Sequence, residues 1–535
     1  MVFRQIPLIV PIGDHETSDE ATNTYVRSLN NPSTQLLLRF EEHHLPFAVP
    51  REKAPLVPPW SEMKIMPYRM LRPTQHCRRP PMFGLPGGLQ GAVQLFSVGD
   101  LIVSTSKTCR RLIFDLRTRQ IVRVTVWASL SERHQQMSWV YRTVIPTSQA
   151  AILSRPDFLD NSDNMPTRRM RITDDQVGGF FAALTEFVDW PESFVVLLQI
   201  IKRRFDQNLI MTDMHLRLTA QSLLSVEDTP LGMSLALPHS QAFYQLLQHL
   251  DYDHRLAYFL CQESSDPRVA MVKVELASFL TEETLGFVMI EPRPFTREEL
   301  QTISQGLDEA RNGFSGQVAR HGTTWAAIAM TRLVSRVAGL QFKPESVRCG
   351  VFNGLVTLWP ARMRDAEMMA RSLRQILTNN SIAVSEHHYD ADGTQLGRLT
   401  VSQYDEICEH LLRAYAHQVA VIYSRDKDNV PQIRDLLSQQ PLQANIEVQL
   451  LPDFYEMFGQ DGKLYPAMGV YTRLERGEKG QTILGDWTFI PRHVWTKLIP
   501  ELAVYRGEDT PGAPWPLPWL TENKDETSGV EISTI

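Results

Sequence analysis

Residues 401–451 read VSQYDEICEHLLRAYAHQVAVIYSRDKDNVPQIRDLLSQQPLQANIEVQLL, and this stretch decides the predicted fold. The apolar run at 418–424 has the length and β-branched content of a strand that is buried on both faces. Apolar residues at helical spacing precede it, from Tyr404 to Tyr415. The pattern then predicts a helix at 429–439 and a strand at 445–451. Strands that alternate with helices predict a parallel or mixed sheet with right-handed crossovers.

The flanking segments extend this reading in both directions. Residues 341–505 are predicted to form one α/β domain, and residues 151–340 read as mostly helical. The further elements that we expect are a strand or hairpin at 346–359, a helix at 363–380, a strand at 381–388, an edge hairpin at 469–490, and strands at 271–276 and 286–290.

The N-terminal part of the chain has a different composition. Residues 46–86 contain ten prolines, and proline at that density excludes both helix and central strand. Apolar side chains such as Trp60 are frequent there, whereas a free linker would be polar. Residues 1–91 are therefore predicted to form an extended arm that lies along another surface, in the same chain or on a partner. Residues 92–150, rich in β-branched and aromatic runs, are predicted to form a β-meander.

Together these patterns predict an α+β multidomain chain. Its expected parts are a proline-rich arm at 1–91, a β-meander at 92–150, a helical domain at 151–340, an α/β domain at 341–505 and a tail at 506–535. The tail reads PGAPWPLPWL at 511–520 and then becomes acidic, which is typical of disordered ends. Trp515 and Trp519 lie in its polyproline-like part, where they either pin the tail to its own chain or dock on a partner.

Positive charge is concentrated between Lys64 and Arg123. Eleven Lys and Arg residues stand there against Asp100 and Asp115, a local net charge of +9 in a chain whose formal net charge is −7. A guanidinium pairs bidentately with phosphate and stacks on bases. We therefore expect this basic band to contact either acidic protein surface or nucleic-acid phosphates, without reading base sequence. The arginines expected to make these contacts are Arg78, Arg79, Arg110, Arg111, Arg117 and Arg119.

Polar residues also follow the expected strands of the α/β domain. His388 and Asp390 lie where the strand predicted at 381–388 ends, and Asp426 follows the run at 418–424. In open α/β sheets, ligands bind beyond the carboxyl ends of the strands, where carboxylates and imidazoles serve as acid–base groups. Polar loops end most strands, so we predict no catalytic residue and name these three as the candidates if the chain is an enzyme.

Neither a metal site nor a cofactor site is predicted. The five cysteines are odd in number and no two lie closer than 32 residues, which excludes a CxxC zinc knuckle and argues against a disulfide scaffold. Residues 249–254 read HLDYDH, and two histidine ligands alone do not make a metal site. Phosphate-loop, nucleophile-elbow, zincin and kinase motifs are absent from the sequence.

The chain is expected to be soluble and to lie in the cytoplasm or elsewhere in the cell, and a virion would fit as well. Prolines interrupt the apolar stretch near the N-terminus, which argues against a signal peptide. No run approaches the ~18 apolar residues of a membrane span. We expect protein partners or self-association, and no membrane contact.

These features favour a non-catalytic structural subunit of a large assembly, such as a capsid-associated or scaffold protein. In that hypothesis the arm, the basic band and the tail make the contacts, with Trp60, Trp515 and Trp519 as docking residues. Two alternatives stay open. One is an enzyme whose C-terminal domain acts on a nucleotide or a phosphate ester, and the other is a nucleic-acid-binding protein that uses the basic band without sequence preference.

Overall fold

The computed structural model describes only part of the chain. The described residues are 8–12, 82–86, 101–104, 108–130, 132–133, 150–153, 174–186, 205–225, 234–281, 286, 288–310, 313–338, 349–385, 399–425, 430–457, 466–477 and 479–504. The chain divides into two compact units. One consists of residues 1–113, 122–170 and 343–345, and the other of residues 114–121, 171–342 and 346–535. Helices and a large mixed sheet occur in the described residues, which confirms the predicted α+β class.

A parallel four-stranded sheet lies in the first unit. Its strands are β1 (Leu8–Ile12), β2 (Met82–Pro86), β3 (Leu101–Ser104) and β6 (Ala150–Leu153), in the order β2-β1-β3-β6. Strand β3 therefore pairs with segments that are distant in sequence, whereas a meander would join it to the next strand in antiparallel fashion. The next two strands, β4 (Thr108–Asp115) and β5 (Gln120–Trp127), do form the hairpin expected of neighbouring β-rich runs.

The second unit is built on a mixed sheet of seven strands. They are β12 (Val419–Arg425), β13 (Pro431–Asp435), β14 (Pro441–Ala444), β15 (Ala467–Val470), β16 (Leu474–Arg476), β17 (Thr482–Leu484) and β18 (Thr488–Ile490). Their order is β18-β15-β12-β13-β14-β17-β16, followed by the hairpin whose tip at 114–121 belongs to this unit. Neighbours among the seven strands are antiparallel, except that β14 is parallel to β17.

Two smaller antiparallel sheets accompany it, and helices cover it. The small sheets join β7 (Leu224–Ser225) to β8 (Ser234–Leu235), and β9 (Val288–Ile290) to β11 (Val356–Leu358) and β10 (Cys349–Val351). The helices of the described residues are α1 (Val177–Leu184), α2 (Phe205–Ala220), α3 (Ser240–His249), α4 (His254–Cys261), α5 (Pro267–Leu280), α6 (Arg297–Glu309), α7 (Gly313–Val318), α8 (Thr323–Ala338), α9 (Pro360–Asn379), α10 (Val401–Ala414), α11 (Ile446–Leu450), α12 (Phe454–Met457) and α13 (Arg492–Val504).

Strand β12 occupies the central position that its apolar sequence predicts. It pairs with β13 on one side and β15 on the other, and residues 419–422 are each no more than 2% exposed. Tyr423 departs from the expectation, because its side chain is 38% exposed at the end of the buried run. The strand is thus buried on both faces over four residues, and its last aromatic side chain reaches the surface.

Three predicted elements are wrong, and each has a local physical reason. Pro431–Asp435 is a strand where we expected a helix, because its buried residues alternate along the segment. Ile446–Leu450 is a helix where we expected a strand, since the Asn445 side chain caps its first turn. Residues 271–276, expected as a strand, lie inside α5, a helix buried on nearly every side and therefore without an amphipathic pattern.

The strand expected at 381–388 is also not observed in its described part. Residues 381–385 have no strand pairing, and the backbone N–H of Ser385 instead donates to the carbonyl of Pro267 at 3.0 Å. The helix at 363–380 is confirmed as part of α9, and the strand at 286–290 as β9. Among the described helices, none combines the length and the apolar character that crossing a membrane requires.

The core of the sheet is organised around Trp487, which is fully buried. Its indole N–H donates to the carbonyl of Ala420 in β12 at 3.3 Å. Its backbone exchanges hydrogen bonds with Thr323 at the start of α8, at 2.9 and 3.1 Å. The ring lies directly over Gly469 of β15, where a Cβ atom would stand 2.3 Å from Cε2 of the indole. Trp487 therefore joins a helix through its backbone and two strands through its side chain, and the indole needs a glycine beneath it to fit.

We predict that Gly469→Ala destabilises the protein by about 2 kcal/mol or more, because the added methyl group overlaps the indole and the packed sheet has little room to shift. Urea unfolding followed by circular dichroism measures the change. Gly477→Ala is the matched control, since its Cβ would meet only the side chain of Gln481. Equal midpoints for the two variants would contradict this account of the core.

A second prediction concerns Lys273 of α5, whose side chain is fully buried. Its ammonium donates to the carbonyl of Gln262 at 2.7 Å and to the Ser264 hydroxyl at 3.2 Å. Burial lowers the pKa of Lys273 to about 7, although the nearby Cys261 and Glu406 oppose the shift. Below pH 7 the folded and unfolded chains both carry the charge, so the whole cost of burying it is present.

Between pH 7 and about 10.5 the unfolded chain retains a proton that the folded chain has lost, so stability rises with pH. Lys273→Met removes this titration. The parent-minus-variant difference in unfolding free energy should therefore rise by up to about 4 kcal/mol from pH 7 to 10. Lys497→Met, at a lysine whose side chain is 63% exposed, is the control for the substitution itself, and the rise with pH should be larger for Lys273→Met. A flat difference for Lys273→Met would show that this lysine keeps its ordinary pKa.

Candidate functional site

The tip of the β4–β5 hairpin is shaped by Asp115. Its carboxylate accepts hydrogen bonds from the Arg117 backbone N–H at 3.4 Å and from the Thr118 hydroxyl at 2.9 Å, and its carbonyl accepts from the Arg119 N–H at 2.7 Å. These bonds hold Arg119 at φ +54°, in the left-handed region that side-chain-bearing residues rarely adopt. The turn therefore presents two arginines with a fixed backbone geometry.

Asp115 also ties the tip to the large sheet. Arg476 of β16 donates to the Asp115 carboxylate at 2.5 Å and to the Thr482 hydroxyl of β17 at 3.0 Å. Arg117 donates to the same hydroxyl at 3.4 Å. The acidic residue inside the basic band is thus already paired with an arginine from elsewhere in the chain.

Arg119 and Arg217 share one carboxylate, Asp213 of α2. The Arg119 guanidinium donates directly to Asp213, and Arg217 lies 2.7 Å from its second carboxylate oxygen. Arg217 also donates to the carbonyl of Arg119 at 2.6 Å. The Arg217 and Asp213 side chains are 9% and 12% exposed, whereas that of Arg119 is 43% exposed. The result is a partly buried triad with one cation turned towards solvent.

Burial lowers the pKa of Arg217, and the negative charge of Asp213 opposes that shift. The guanidinium lies 5.5 Å from the ring centroid of Phe114, and a face-on aromatic ring stabilises a desolvated cation. The backbone N–H of Phe114 donates to Asp174 at 3.2 Å. Arg217 therefore acts as the structural partner of the hairpin, while Arg119 remains the accessible member.

Gln120 carries the hairpin into the core of the sheet. Its amide donates to the carbonyl of His417 and, at 3.4 Å, to the carboxylate of Asp435 at the end of β13. Asp435 is fully buried and also accepts from the Tyr471 hydroxyl and the Ser438 hydroxyl, each at 2.6 Å. Burial raises the pKa of Asp435, and these hydrogen bonds oppose the shift.

A cleft of about 300 Å³ opens beside Asp435. Apolar side chains line it together with the polar side chains of Arg434, Asp435 and Gln439, and the Arg434 guanidinium lies 5.4 Å from the ring centroid of the half-exposed Tyr423. Among the described residues, no carboxylate lies within ion-pair distance of the exposed Arg434. The lining residues are Val421, Tyr423, Arg434, Asp435, Leu436, Gln439 and Pro466.

The remaining arginines of the basic band lie in different environments. Arg110 is exposed on β4, and Arg111 forms an ion pair with Glu132. Arg123 is only 8% exposed and so lies inside the fold. Arg117 and Arg119 both lie in the turn between β4 and β5. Arg78, Arg79, Trp60, Trp515 and Trp519 lie outside the described residues.

The observed topology does not bring together the strand ends at which the candidate catalytic residues were expected. Strand β12 is antiparallel to both of its neighbours, so the carboxyl ends of adjacent strands do not meet at one edge of the sheet. His388, Asp390 and Asp426 themselves lie outside the described residues. Their catalytic role stays a prediction. The argument from the carboxyl ends of parallel strands does not apply to it, because β12 has antiparallel neighbours.

The acidic and histidine-rich segment at 249–254 serves a structural purpose. The carboxylate of Asp253 caps α4 by accepting from the backbone N–H groups of Arg255 and Leu256, and it pairs with the Arg255 guanidinium. His254 is buried, which lowers its pKa to about 3. Within the described residues, no group of three or more metal-ligating side chains occurs.

Sequence reasoning missed Asp213, Arg217 and Asp435. The spacing of Asp213 and Arg217 is that of an ion pair one helical turn apart, and this signal was available in the sequence. The contact of Arg434 with Tyr423 could not be predicted from the sequence, because it requires that β13 pairs with β12 as an antiparallel strand, and a helix was expected there. No model of a known protein family matches this chain, and no curated protein sequence matches it significantly.

We predict that Asp213→Asn costs about 3 kcal/mol of stability, because it leaves the buried Arg217 without its counter-charge. Arg119→Gln should cost less, since Arg119 is more exposed. Glu367→Gln is the matched control. Glu367 pairs with Arg371 at the same i,i+4 spacing, but the two side chains are 58% and 70% exposed, so its loss should cost under about 0.5 kcal/mol. Chemical denaturation of the three variants ranks them, and an Asp213→Asn midpoint equal to that of the control would refute the triad's role.

Proposed function

We propose that this protein is a non-catalytic subunit of a protein assembly and that the hairpin tip is one of its contact surfaces. The hairpin surface is defined here by Leu116, Arg117, Arg119, Asp213 and Leu216. One observation supports the proposal most directly: two of the five described arginines of the basic band, Arg111 and Arg119, already pair with carboxylates of the same chain. Phosphate binding gains its free energy from cations that release counterions from the nucleic acid, and a paired arginine has less to contribute.

The pairing is distributed along the hairpin. Arg111 pairs with Glu132, and Arg119 pairs with Asp213. These pairs favour an interface with protein over a surface of free positive charge. Arginines oriented in this way are frequent anchors of protein interfaces, where they combine stacking with directional hydrogen bonds.

Exposed apolar side chains flank the Arg119–Asp213 pair along the chain. Leu116 lies in the turn and is 45% exposed, and Leu216 lies one helical turn after Asp213 and is 52% exposed. Single exposed leucines are ordinary on a monomer. These two lie within three residues of Arg119 and Asp213 in the sequence, so the proposed surface has an apolar component as well as charged groups.

The predicted arm at 1–91 completes this proposal as a further contact element. Of the arm only residues 8–12 and 82–86 are described, as strands β1 and β2. The nucleic-acid alternative retains the exposed Arg110 and Arg117, and the same purified protein can test it.

The main test is the mass of the full-length protein in size-exclusion chromatography with light scattering. We expect an oligomer, or a complex with a copurified protein, and we expect Leu116→Asp combined with Leu216→Asp to shift at least half of it to the monomer. Leu300→Asp is the control, because Leu300 is 41% exposed on a different helix, α6. A monomeric parent without a protein partner would refute the proposal, as would an equal shift in the control.

The second experiment is fluorescence anisotropy with labelled single-stranded RNA and duplex DNA over a range of salt concentrations. The proposal predicts no measurable binding at physiological salt. If the band meets phosphates instead, log affinity falls with log salt at about −0.7 to −0.9 per contact. Replacing Arg110, Arg111, Arg117 and Arg119 with Gln would then flatten that slope by about one unit for each phosphate that the variant no longer binds, without changing base preference.

A further inference from the structure

The cleft beside β12 has the chemistry of a site for a proline- and aromatic-rich segment. Its floor is formed by Val421, Leu436 and Pro466, and the Tyr423 ring stands at its side with the Arg434 guanidinium over it. Polyproline-type segments dock in grooves lined by such aromatic rings, because their backbone is already extended and loses little entropy on binding. A volume of about 300 Å³ is at the small end for ligand sites, so it accommodates one large anchor side chain.

The chain contains such a segment shortly after its last described helix. Residues 511–520 read PGAPWPLPWL, with four prolines and two tryptophans in ten residues. Tryptophan is the side chain that gains most from entering an apolar pocket beside a cation, through buried area and cation–π attraction. The composition of the segment therefore matches that of the cleft.

The position of α13 puts this segment within reach. Val494, Trp495 and Leu498 of α13 belong to the same apolar cluster as Val421 of the cleft floor, and α13 contacts β15, the strand that pairs with β12. The helix has 13 residues and a length of about 20 Å. Trp515 follows its last residue by 11 positions, a span of up to about 36 Å when extended. The tail can therefore return along the helix to the cleft.

Charge favours the same arrangement. Downstream of Trp519 the tail carries Glu522, Asp525, Glu526 and Glu531, opposed only by Lys524. At the mouth of the cleft stands the exposed Arg434, which meets no carboxylate among the described residues. A tryptophan seated in the cleft would bring the acidic residues that follow it to this guanidinium.

We propose that the cleft formed by Val421, Tyr423, Arg434, Leu436 and Pro466 binds the proline–tryptophan segment 511–520 of the same chain. One of the two tryptophans fills the cavity, a neighbouring proline packs on Tyr423, and the acidic residues pair with Arg434. This inference goes beyond the proposed function, because a tail bound within one chain needs no partner. A monomeric protein with a docked tail would support it and contradict the assembly hypothesis.

Photo-crosslinking of the full-length protein tests the contact. Trp519 is replaced by p-benzoylphenylalanine, the protein is irradiated at low concentration, and the tryptic peptides are identified by mass spectrometry. We expect the main crosslinks to fall on peptides that contain Tyr423, Leu436 or Pro466, within a species of monomer mass on a denaturing gel. Crosslinks confined to other segments, no crosslink, or a crosslinked dimer would each overturn the proposal.

Variants on both sides of the contact make the test specific. Arg434→Ala with Tyr423→Ala should lower the crosslink yield at least fivefold, and circular dichroism checks that this variant remains folded. Arg371→Ala, which removes another exposed arginine, is the control and should leave the yield unchanged. On the tail side, replacing Glu522, Asp525 and Glu526 with Lys should lower the yield at least threefold without altering the folded body. An unchanged yield in both the cleft and tail variants would refute the assigned site.

Discussion

The arrangement of the hairpin tip and the cleft depends on one buried carboxylate, Asp435. It receives the Tyr471 hydroxyl from the sheet, the Ser438 hydroxyl from the turn after β13, and the amide of Gln120 from the hairpin. A buried carboxylate is tolerated only when its oxygens are hydrogen-bonded, so these three segments are constrained to meet at one point. The hairpin tip and the cleft consequently share the same polar centre, and a shift of Asp435 would disturb both.

The electrostatics of the basic band differ from what its composition suggests. A linear count of +9 between residues 64 and 123 leaves out carboxylates contributed by distant segments, and the fold brings such groups to the hairpin. Asp213 comes from α2 together with the cation Arg217, while Arg476 of β16 pairs with Asp115 and so adds a further cation beside the tip. The exposed surface at the tip therefore carries arginines and leucines, whereas the carboxylates that pair with the arginines are largely buried.

Much of the architecture could be predicted from the sequence, and the errors have a common origin. The buried run of β12, the strand β9 and the helix α9 are predictable because their patterns match one period over their whole length. The periodic pattern does not identify the helix at residues 271–276, because nearly every residue of α5 is buried. It also predicts the wrong structure at 446–450, where the Asn445 side chain caps a helix although Ile446 and Val448 favour a strand. For the site, the hairpin is predictable from its alternating runs. Its partner Asp213 is not, because pairing across 94 residues depends on the tertiary fold.

Helix α5 has a consequence for how the molecule can be divided. Eleven of its fourteen residues are buried, and it contacts α4, α8, α9 and α10 within one continuous apolar cluster that spans residues 114 to 498. A fragment that ended near residue 340 would leave α5 without α9 and α10, and would expose a surface built for the interior. We therefore expect recombinant fragments that end there to be insoluble. The material suited to functional work is therefore the intact chain, altered one side chain at a time.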